Sequence, residues 1–333
     1  MEFVAITPDT MMDEMAGRGL ACPLEQSEAW ARLEATIPDR TPWGTFRIAR
    51  DGETLAYISL IDYQTHGYHF LRSFHGPVWV SEPSADDEAQ MLDALRACAH
   101  ARDRKLVFAR LGVRAQLPGC HPTLSTSPYD LTVVMDLTGS DEDIITRMKK
   151  RGRRDVRKAL RESPASYADE TERAHESFDE YYALMAETGA RDGFTPAPQE
   201  NFENMLRVLG PNHCRLYAGR IDGKLVTWAI DTYEGSHGVH YYAASDADAP
   251  QRSLLTDGLV YYECCELAKR GVATFDLMGI GSEEFPALNS LNTFKTKFAN
   301  DVTPVAPDRD FAFRPVFYAS LAKARELLKG KKD

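Results

Sequence analysis

The same order of secondary-structure signals occurs twice along this chain of 333 residues. In the first half, a helical pattern at residues 24–37 precedes a hairpin signal at Asp51-Gly52, and a strand, a helix and a buried strand follow. In the second half, two helical patterns between residues 175 and 209 precede a hairpin signal at Asp222-Gly223, and the same three elements follow. Asp-Gly between alternating apolar residues is typical of a tight β-hairpin. The repeat predicts an α/β (α+β) chain of two domains, each with a mixed, largely antiparallel sheet flanked by helices.

Length and composition agree with two domains. At 43% hydrophobic residues, the chain has enough apolar side chains for two cores. We place the first domain at residues 1–138 and the second at residues 139–315. A last amphipathic pattern at residues 316–333 predicts a helix that returns to the first domain.

The numbers, spacing and pattern of certain residues argue against several classes of protein. The six cysteines are scattered without a CxxC pair, which indicates reduced thiols rather than a disulfide framework or a zinc site. His66 and His69 lie in a strand-like run, where their spacing points the two rings to opposite faces. The acidic N-terminus lacks a signal peptide, and no apolar run approaches the roughly 18 residues of a membrane helix. We therefore expect a cytoplasmic protein with no transmembrane segment and no metal.

A cationic segment opposes the net charge of the chain. Residues 147–158, RMKKRGRRDVRK, contain eight Lys or Arg and one Asp, whereas the whole chain carries a net charge of -11. Ser140 is a good N-cap, so we predict one helix from Ser140 to about Glu162, with an apolar stripe packed on a core. A solvated helix normally mixes both signs of charge, but here only Asp155 relieves the repulsion. The opposite face therefore favours binding of a polyanion or a phosphate over the solvated alternative.

Common nucleotide and nucleophile motifs are missing from the sequence. Gly279-Ile280-Gly281 follows a strand, but no third glycine follows and Glu283 and Glu284 stand where a pyrophosphate would lie. There is no GxxxxGK[ST] loop, and no convincing Ser/His/Asp or Cys/His context. Neither nucleotide hydrolysis nor a covalent intermediate is expected.

Five motifs, in order, resemble those of the FemABX (Fem/Mur) aminoacyltransferases across most of the chain. Each motif alone is weak, but five in one order are specific. They are TVVMDLTGSDEDIITRMKKRGRRDVRKA (132–159), YYALMAETGARDGFTPAPQENFENML (181–206), HYYAAS (240–245), FDLMGIG (275–281) and LNTFKTKFAND (291–301).

The resemblance implies a fold and an activity. Family members consist of two domains resembling GNAT acyltransferases, and this chain resembles the compact FemX-like members, because residues 161–172 are too few for a helical arm. Such enzymes move an amino acid from aminoacyl-tRNA to an amine of the peptidoglycan stem peptide, in UDP-MurNAc-pentapeptide or a lipid-linked precursor. No cofactor is implied beyond aminoacyl-tRNA as co-substrate, and peripheral contact with the inner membrane face is compatible with this activity.

The resemblance also assigns roles to residues. Lys295 and Phe294 occupy the family's most characteristic pair and are the expected catalytic residues, with the lysine as a cation beside the reacting carbonyl. Without the resemblance, Lys295 is more simply an ordinary lysine on the face of a strand. The expected contacts to the phosphates or sugar of the precursor are Arg191, Tyr241, Tyr242, Arg32 and His75. The expected contacts to tRNA are Lys149, Lys150, Arg153, Arg154, Arg157 and Lys158.

Some assignments stay open. Arg191 is equally suited to an interdomain salt bridge with a neighbouring acid. Successive side chains alternate across a strand, so we expect one of Tyr241 and Tyr242 to face a cleft and favour Tyr242. Arg32 stands near Glu34, where family members often have a lysine, and the turn at His75 differs from the family pattern. The general base is not identified: candidates are Asp276, Glu283, Glu284 or the substrate itself.

Two other functions compete with this hypothesis. An acyl-CoA-dependent GNAT N-acyltransferase needs a glycine-rich loop that opens a helix, but residues 251–255, QRSLL, contain no glycine and the next one is Gly258. A non-catalytic RNA-binding protein would use the cationic segment alone, and would not need the Phe294-Lys295 pair. The amino acid transferred, the acceptor amine, the form of the precursor and the oligomeric state stay open.

Overall fold

A computed structural model describes residues 1–329 and divides the chain into two compact units. The first unit contains residues 1–130, 283–287 and 305–329, and the second contains residues 131–282 and 288–304. Residues 330–333, the end of the predicted C-terminal helix, lie outside the described residues, as do the side chains at positions 252, 253, 328 and 329.

The helices and strands follow the predicted twofold order. Up to residue 130 they are β1 (Glu2–Ile6), α1 (Pro8–Gly17), α2 (Glu28–Glu34), β2 (Arg40–Arg50), β3 (Glu53–Thr65), β4 (Tyr68–Arg72), β5 (Val78–Trp79), α3 (Ala85–Arg102), β6 (Phe108–Gly112) and β7 (Cys120–Pro122). Up to residue 209 they continue as β8 (Leu131–Asp136), α4 (Asp141–Arg147), α5 (Lys150–Glu162), β9 (Ser166–Asp169), α6 (Thr171–Glu176), α7 (Asp179–Asp192) and α8 (Gln199–Leu209). The remaining elements are β10 (Cys214–Ile221), β11 (Lys224–Glu234), β12 (His237–Ser245), α9 (Arg252–Lys269), β13 (Thr274–Ile280), α10 (Asn289–Lys295), β14 (Thr303–Pro304), β15 (Asp308–Ala312) and α11 (Pro315–Lys329).

Each unit is built on one mixed sheet. In the first unit the strand order is β1-β2-β3-β4-β6-β15-β7, with β5 paired to β3, and β4 and β6 are the parallel pair. In the second unit the order is β14-β8-β13-β12-β11-β10-β9, with β12 and β13 parallel. The predicted mixed, largely antiparallel sheets are therefore confirmed. Only the short strand β9 stands between α5 and α6, so no helical arm is inserted there.

Helices cover both faces of each sheet, and their apolar residues recur at helical spacing. In α3, Met91, Leu95 and Ala99 are fully buried and pack on the core of the first unit. In α9, Val260, Cys264 and Leu267 are buried in the core of the second unit. No described helix is long and apolar enough to cross a membrane.

The division into units differs from the predicted boundaries at two strands. Strand β8 falls inside the predicted first domain, 1–138, but it pairs with β13 and β14 and belongs to the second unit. Strand β15 falls inside the predicted second domain, 139–315, but it pairs with β6 and β7 in the first unit. Helix α11 belongs to the first unit, where the Tyr318 ring stacks on His121 with centroids 4.8 Å apart.

The prediction of one basic helix from Ser140 to Glu162 is wrong, because the helix is broken at Met148 and Lys149. Both residues are extended, and Lys149 N–H donates to the backbone carbonyl of Lys297 at 3.2 Å. The break lets Met148 point into the core, where it is fully buried. A tertiary contact therefore overrides a sequence that is locally helical. Ser140 is the N-cap of α4 as expected, and it forms a capping box with Asp143.

Gly152 permits the close approach of α5 to Lys297. A Cβ at this position would lie 2.1 Å from the backbone carbonyl oxygen of Lys297 and 2.9 Å from its carbon. We expect Gly152→Ala to lower the free energy of unfolding by about 3 kcal/mol, because backbone atoms must move apart. Gly17→Ala is the matched control, since nothing lies within 4 Å of its added Cβ and alanine favours a helix. Urea denaturation of both variants checks this prediction, and an equal effect in the two would contradict it.

Candidate functional site

The two central strands of the second unit diverge. Strands β12 and β13 pair in parallel only at their first three residues, which join His237 to Thr274, Gly238 to Phe275 and Val239 to Asp276. Beyond these pairs, no described residue of β12 is paired with β13, so backbone groups face a gap at the carboxyl ends of both strands. Such a gap between parallel strands is where a ligand can reach main-chain donors and acceptors.

The two candidate tyrosines lie on β12 at a β-bulge. Against β11, Tyr242 pairs with Ile230 and His240 pairs with Asp231, so Tyr241 is the extra residue. A bulge interrupts the alternation of side chains. The Tyr241 and Tyr242 rings contact each other edge to face at 5.1 Å, and the Tyr242 ring also packs on Phe202 at 4.8 Å. The alternation that favoured Tyr242 over Tyr241 therefore does not hold at this point of the strand.

Arg191 is held at the carboxyl end of the same strand. One terminal nitrogen, Nη1, donates to the Ser245 carbonyl oxygen at 2.7 Å, and Nε and Nη2 form a fork with the Asp192 carboxylate, both at 2.8 Å. The hydrogen bonds to Asp192 raise the pKa of Arg191 above its usual range. The ion pair with a neighbouring acid is thus present, and it joins residues adjacent in sequence. The Asp192 carboxylate is about half exposed, so a ligand anion can replace it as the partner of the Arg191 guanidinium.

Lys295 is the last residue of helix α10, so the alternative that placed it on a strand face is wrong. Its ammonium donates to the Gly279 carbonyl oxygen, at the end of β13, at 3.0 Å. Burial lowers the pKa of Lys295 to about 8, against the opposing influence of the nearby Asp276 carboxylate. An ammonium has three donors, and Gly279 is the one acceptor found for it in the described part of the chain. Lys295 is therefore a cation with spare donors at the gap end of β13.

Side chains lock α10 to the end of β13. The Asn292 amide accepts from Gly281 N–H at 2.8 Å and donates to the Gly281 carbonyl at 2.9 Å. Phe294 packs edge to face on the buried Phe298, with centroids 5.3 Å apart. These contacts hold Lys295 in place, as a positioned catalytic group requires.

Lys297 differs from Lys295 although only one residue separates them. Its ammonium is buried and donates to Asp257 of α9 at 2.5 Å, with Asp155 of α5 at 3.7 Å. It also lies 5.0 Å from the Phe294 ring centroid. Because its charge is matched by two carboxylates, Lys297 joins α5, α9 and the loop after α10 rather than offering a free donor.

Asp276 is held in place at the divergence of the two strands. Its Oδ1 accepts from the Thr132 hydroxyl and from Met278 N–H, the latter at 2.7 Å. Met278 has a positive φ of 63°, where the ladder between β13 and β8 shifts register. The other two candidate bases, Glu283 and Glu284, belong to the first unit, and Glu284 pairs with Arg309 at 2.8 Å.

The cations of the basic segment are only partly in the predicted arrangement. Lys149 caps α5 instead of lying within a helix, and Arg153 donates to the Met148 carbonyl oxygen at 2.6 Å, where it caps α4. The exposed cations on α5 include Lys150, Arg154, Arg157 and Lys158. Arg157 pairs with Glu142, and Lys158 lies 3.8 Å from Glu162, so Asp155 is not the only acid that relieves the repulsion. Exposed pairs of this kind are weak and exchange readily with phosphate.

The remaining candidates belong to the first unit. Arg32 lies on α2 with its side chain 64% exposed and Glu28 4.0 Å away. His75 Nδ1 lies 3.6 Å from the buried carboxylate of Glu25, just before α2. Glu34, which stands where family members often have lysine, is buried and accepts from Arg40 at 3.1 Å and from the Tyr63 hydroxyl at 2.5 Å. This glutamate is an internal ion-pair partner and not a phosphate ligand.

One cluster has the donor atoms of a metal site, and the sequence reasoning missed it. Asp231 on β11, His240 on β12 and Glu263 on α9 bring their ligand atoms within 4.8 Å of one another. The three residues are too far apart in sequence to form a recognisable spacing motif. The histidine of the HYYAAS segment, His240, belongs to this cluster.

Comparison with known proteins first gives the class of fold. The family described as "Acetyltransferase (GNAT) domain" matches residues 147–286, which lie almost wholly in the second unit. No curated protein matches the chain.

Solved structures extend the likeness to both units. The crystal structure of FemX superposes with a TM-score of 0.73 at 16% identity, and covers 97% of this chain and 100% of its own. The C-terminal domain of a putative lysylphosphatidylglycerol synthetase from Agrobacterium fabrum has a TM-score of 0.53 at 15% identity, over 96% of this chain and 95% of its own. L-PGS from Bacillus licheniformis gives 0.54 at 11%, over 97% of each chain. The predicted fold of two GNAT-like domains without a helical arm is confirmed, and it is the fold of FemX.

Proposed function

We propose that this protein is an aminoacyltransferase that moves an amino acid from aminoacyl-tRNA to an amine of a peptidoglycan precursor in the cytoplasm. The observation that carries the proposal is Lys295, a half-buried cation with spare donors at the gap between β12 and β13. The FemX-like fold and the order of the five sequence motifs support the same reaction class.

The proposed reaction is direct aminolysis of an ester. The neutral acceptor nitrogen attacks the ester carbonyl carbon, an N–C bond forms, and negative charge develops on the carbonyl oxygen of a tetrahedral intermediate. The C–O bond to the tRNA ribose then breaks, and the ribose oxygen takes up a proton lost by the amine. Positioning and stabilisation of the oxyanion are sufficient for this chemistry, so the proposal needs no cofactor.

Lys295 suits the stabilising role. One of its donors is fixed on the Gly279 carbonyl oxygen, which leaves the others for the oxyanion. In a water-poor site, a cation already in place stabilises developing charge without reorganisation. Phe294, one residue earlier on α10, would pack against the aminoacyl group or the terminal adenosine.

The acceptor would be held by cations and aromatic rings. In the second unit, the Arg191 fork suits a diphosphate, and the contacting rings of Tyr241 and Tyr242 suit a sugar face. For the first unit, Arg32 and His75 stay predictions as contacts to a precursor. UDP-MurNAc-pentapeptide and its lipid-linked form share this diphosphate chemistry.

The exposed cations of α5 would bind the tRNA backbone. We expect the triple variant Arg154→Gln, Arg157→Gln, Lys158→Gln to weaken tRNA binding about 10- to 100-fold at low salt, and to reduce the slope of log K against log salt by about 2 to 3. Fluorescence anisotropy with labelled tRNA over a salt series measures both quantities. The control replaces Arg104 and Lys105, two exposed cations elsewhere on the chain, with Gln. An equal loss in both variants would contradict a specific role of α5.

An acyl-CoA-dependent N-acyltransferase is the second candidate, because the matching family is described as a GNAT acetyltransferase domain. Against it stands the start of α9, where residues 251–257 contain no glycine to bring the backbone close to a pyrophosphate. The likeness to a putative lysylphosphatidylglycerol synthetase suggests phosphatidylglycerol as a third acceptor to include in a test.

Mass spectrometry of reaction products tests the proposal. The protein is incubated with a mixed pool of charged tRNA and either UDP-linked muropeptide, lipid-linked precursor or phosphatidylglycerol vesicles, and in a parallel reaction with acetyl-CoA and muropeptide. A tRNA-dependent gain of one aminoacyl residue on a muropeptide amine is the expected result, and its mass names the amino acid. A gain only from acetyl-CoA, a product only on the lipid, or tRNA binding without any product would each overturn the proposal.

A further inference from the structure

We propose that Asp231, His240 and Glu263 bind a divalent transition-metal ion inside the second unit. Asp231 and His240 stand directly opposite each other in the antiparallel ladder of β11 and β12, so their side chains project from the same face of the sheet. Helix α9 packs against β11 and β12, and it contributes Glu263 to this point. The site does not depend on the proposed transferase activity.

The distances suit a single bound ion. His240 Nδ1 lies 3.2 Å from Asp231 Oδ1 and 3.0 Å from Glu263 Oε2. Ligand atoms that surround one zinc ion at about 2.0–2.2 Å lie about 3.4 Å apart in a tetrahedron. All three ligand atoms lie within 4.8 Å of one another, so the two carboxylates would draw closer together on binding one ion. The second oxygen of Asp231 could complete four donors.

Two buried carboxyl groups share one imidazole. Asp231 and Glu263 are both fully buried, and His240 Nδ1 lies within 4 Å of both. With both carboxyl groups ionised and the imidazole protonated, one negative charge is in excess in the buried cluster. A proton on Asp231, or a divalent cation with a neutral imidazole, removes that excess, and buried carboxylates are typically paired or bound to metal.

Several buried polar atoms in and beside this cluster lack a hydrogen-bond partner among the described residues. Both oxygens of Asp231 and one oxygen of Glu263 are buried without a hydrogen-bond donor, and the Tyr217 hydroxyl of β10 is also buried without a partner. Arg215 stands opposite Asp231 in the neighbouring ladder, but its guanidinium pairs with Asp169 at 3.4 Å instead. The guanidinium that stands opposite Asp231 is thus directed elsewhere, and an ion would satisfy the orphaned oxygens.

The types of donor atom limit which metal ions would bind at this site. One imidazole nitrogen and carboxylate oxygens suit Zn²⁺ or Mn²⁺. The Cys264 thiol, adjacent to Glu263, is directed at the Met135 sulfur at 3.7 Å and is not part of the donor set. The carboxylates have no exposure, so the ion would be structural. It would hold β11, β12 and α9 together directly beneath the bulge that carries Tyr241 and Tyr242.

Metal analysis of untagged protein tests the proposal. We expect about one Zn²⁺ or Mn²⁺ per chain by inductively coupled plasma mass spectrometry. We also expect the unfolding temperature to fall with excess chelator and to return when Zn²⁺ or Mn²⁺ is added. Less than about 0.1 ion per chain, together with an unfolding temperature that neither the chelator nor either metal changes, would overturn it.

Charge-neutral variants add a second test. Asp231→Asn combined with Glu263→Gln should fold, as judged by circular dichroism, and should lose the ion and the effect of the chelator. The matched control is His213→Gln, which breaks another histidine–carboxylate pair of the same sheet, His213 with Glu234 at 3.0 Å, and should keep the ion. A folded double variant that binds metal as the wild type does would contradict the assignment. If the double variant does not fold, the chelator experiment on the wild type decides.

Discussion

Replacement of Lys295 by Met is expected to lower kcat for aminoacyl transfer about 10²–10³-fold with little change in tRNA affinity, because one preorganised donor to the oxyanion is removed. The Lys295 side chain is half-buried and its ammonium donates to the Gly279 carbonyl oxygen at 3.0 Å, so this donor is already fixed in place. The measurement is a single-turnover transfer assay with charged tRNA and muropeptide. Lys224→Met is the matched control, since Lys224 lies in the same unit with its side chain 74% exposed.

The pH dependence separates two roles for this lysine. Burial lowers the pKa of Lys295 to about 8, so its cationic fraction falls as the pH rises through 8. If the cation stabilises the oxyanion, kcat declines above pH 8 in the wild type, and Lys295→Arg, which stays charged, loses that decline. A rate that rises through pH 8 in the wild type and is flat in the arginine variant would show that the neutral amine acts as a base, contrary to the proposal.

Asp310→Asn is expected to lower the free energy of unfolding of the first unit by about 3–5 kcal/mol, because it leaves the Arg110 guanidinium buried without a counter-charge. Arg110 and Asp310 are both fully buried and form a two-pronged pair, with Nε to Oδ1 at 2.7 Å and Nη2 to Oδ2 at 3.0 Å. Asp310 also accepts from the Tyr318 hydroxyl and from Leu124 N–H, each at 3.0 Å. This carboxylate thus ties β6, β15 and α11 together.

Urea denaturation followed by tryptophan fluorescence measures this effect. Three of the four tryptophans, Trp30, Trp43 and Trp79, lie in the first unit, so the signal is weighted towards it. The control is Glu14→Gln, which breaks the partly exposed pair of Glu14 with Arg47 in the same unit and should cost less than about 1 kcal/mol. If Asp310→Asn lowers the free energy of unfolding no more than the control does, the buried pair contributes little to stability.

The local elements were largely predictable because they depend on short-range chemistry. The Asp51-Gly52 and Asp222-Gly223 hairpins and the N-cap at Ser140 are all present where the sequence indicates them. Each depends on residues within a few positions of one another, so the pattern is visible without the fold. The class of fold followed from the same elements taken in order.

Long-range pairing explains where the observed structure differs from the predicted one. The sequence predicts β8 in the first domain and β15 in the second, whereas each strand pairs within the other unit. The residues of a strand do not specify the distant strand to which it hydrogen-bonds. The predicted basic helix breaks at Met148 because the Lys297 carbonyl, far along the chain, accepts from Lys149 N–H. Both are cases in which a distant backbone group outweighs local propensity.

The candidate site shows the same difference between local and long-range effects. The sequence by itself determined which side chains are available: a Phe294-Lys295 pair, an arginine at 191, two adjacent tyrosines and an excess of cations before residue 160. Only the tertiary structure decided that Lys295 ends a helix against Gly279, and that a bulge brings the rings of Tyr241 and Tyr242 together. It also brought Asp231, His240 and Glu263 into one buried cluster. The reason is physical: local propensities act over a few residues, whereas burial, charge pairing and strand register depend on which distant segments meet.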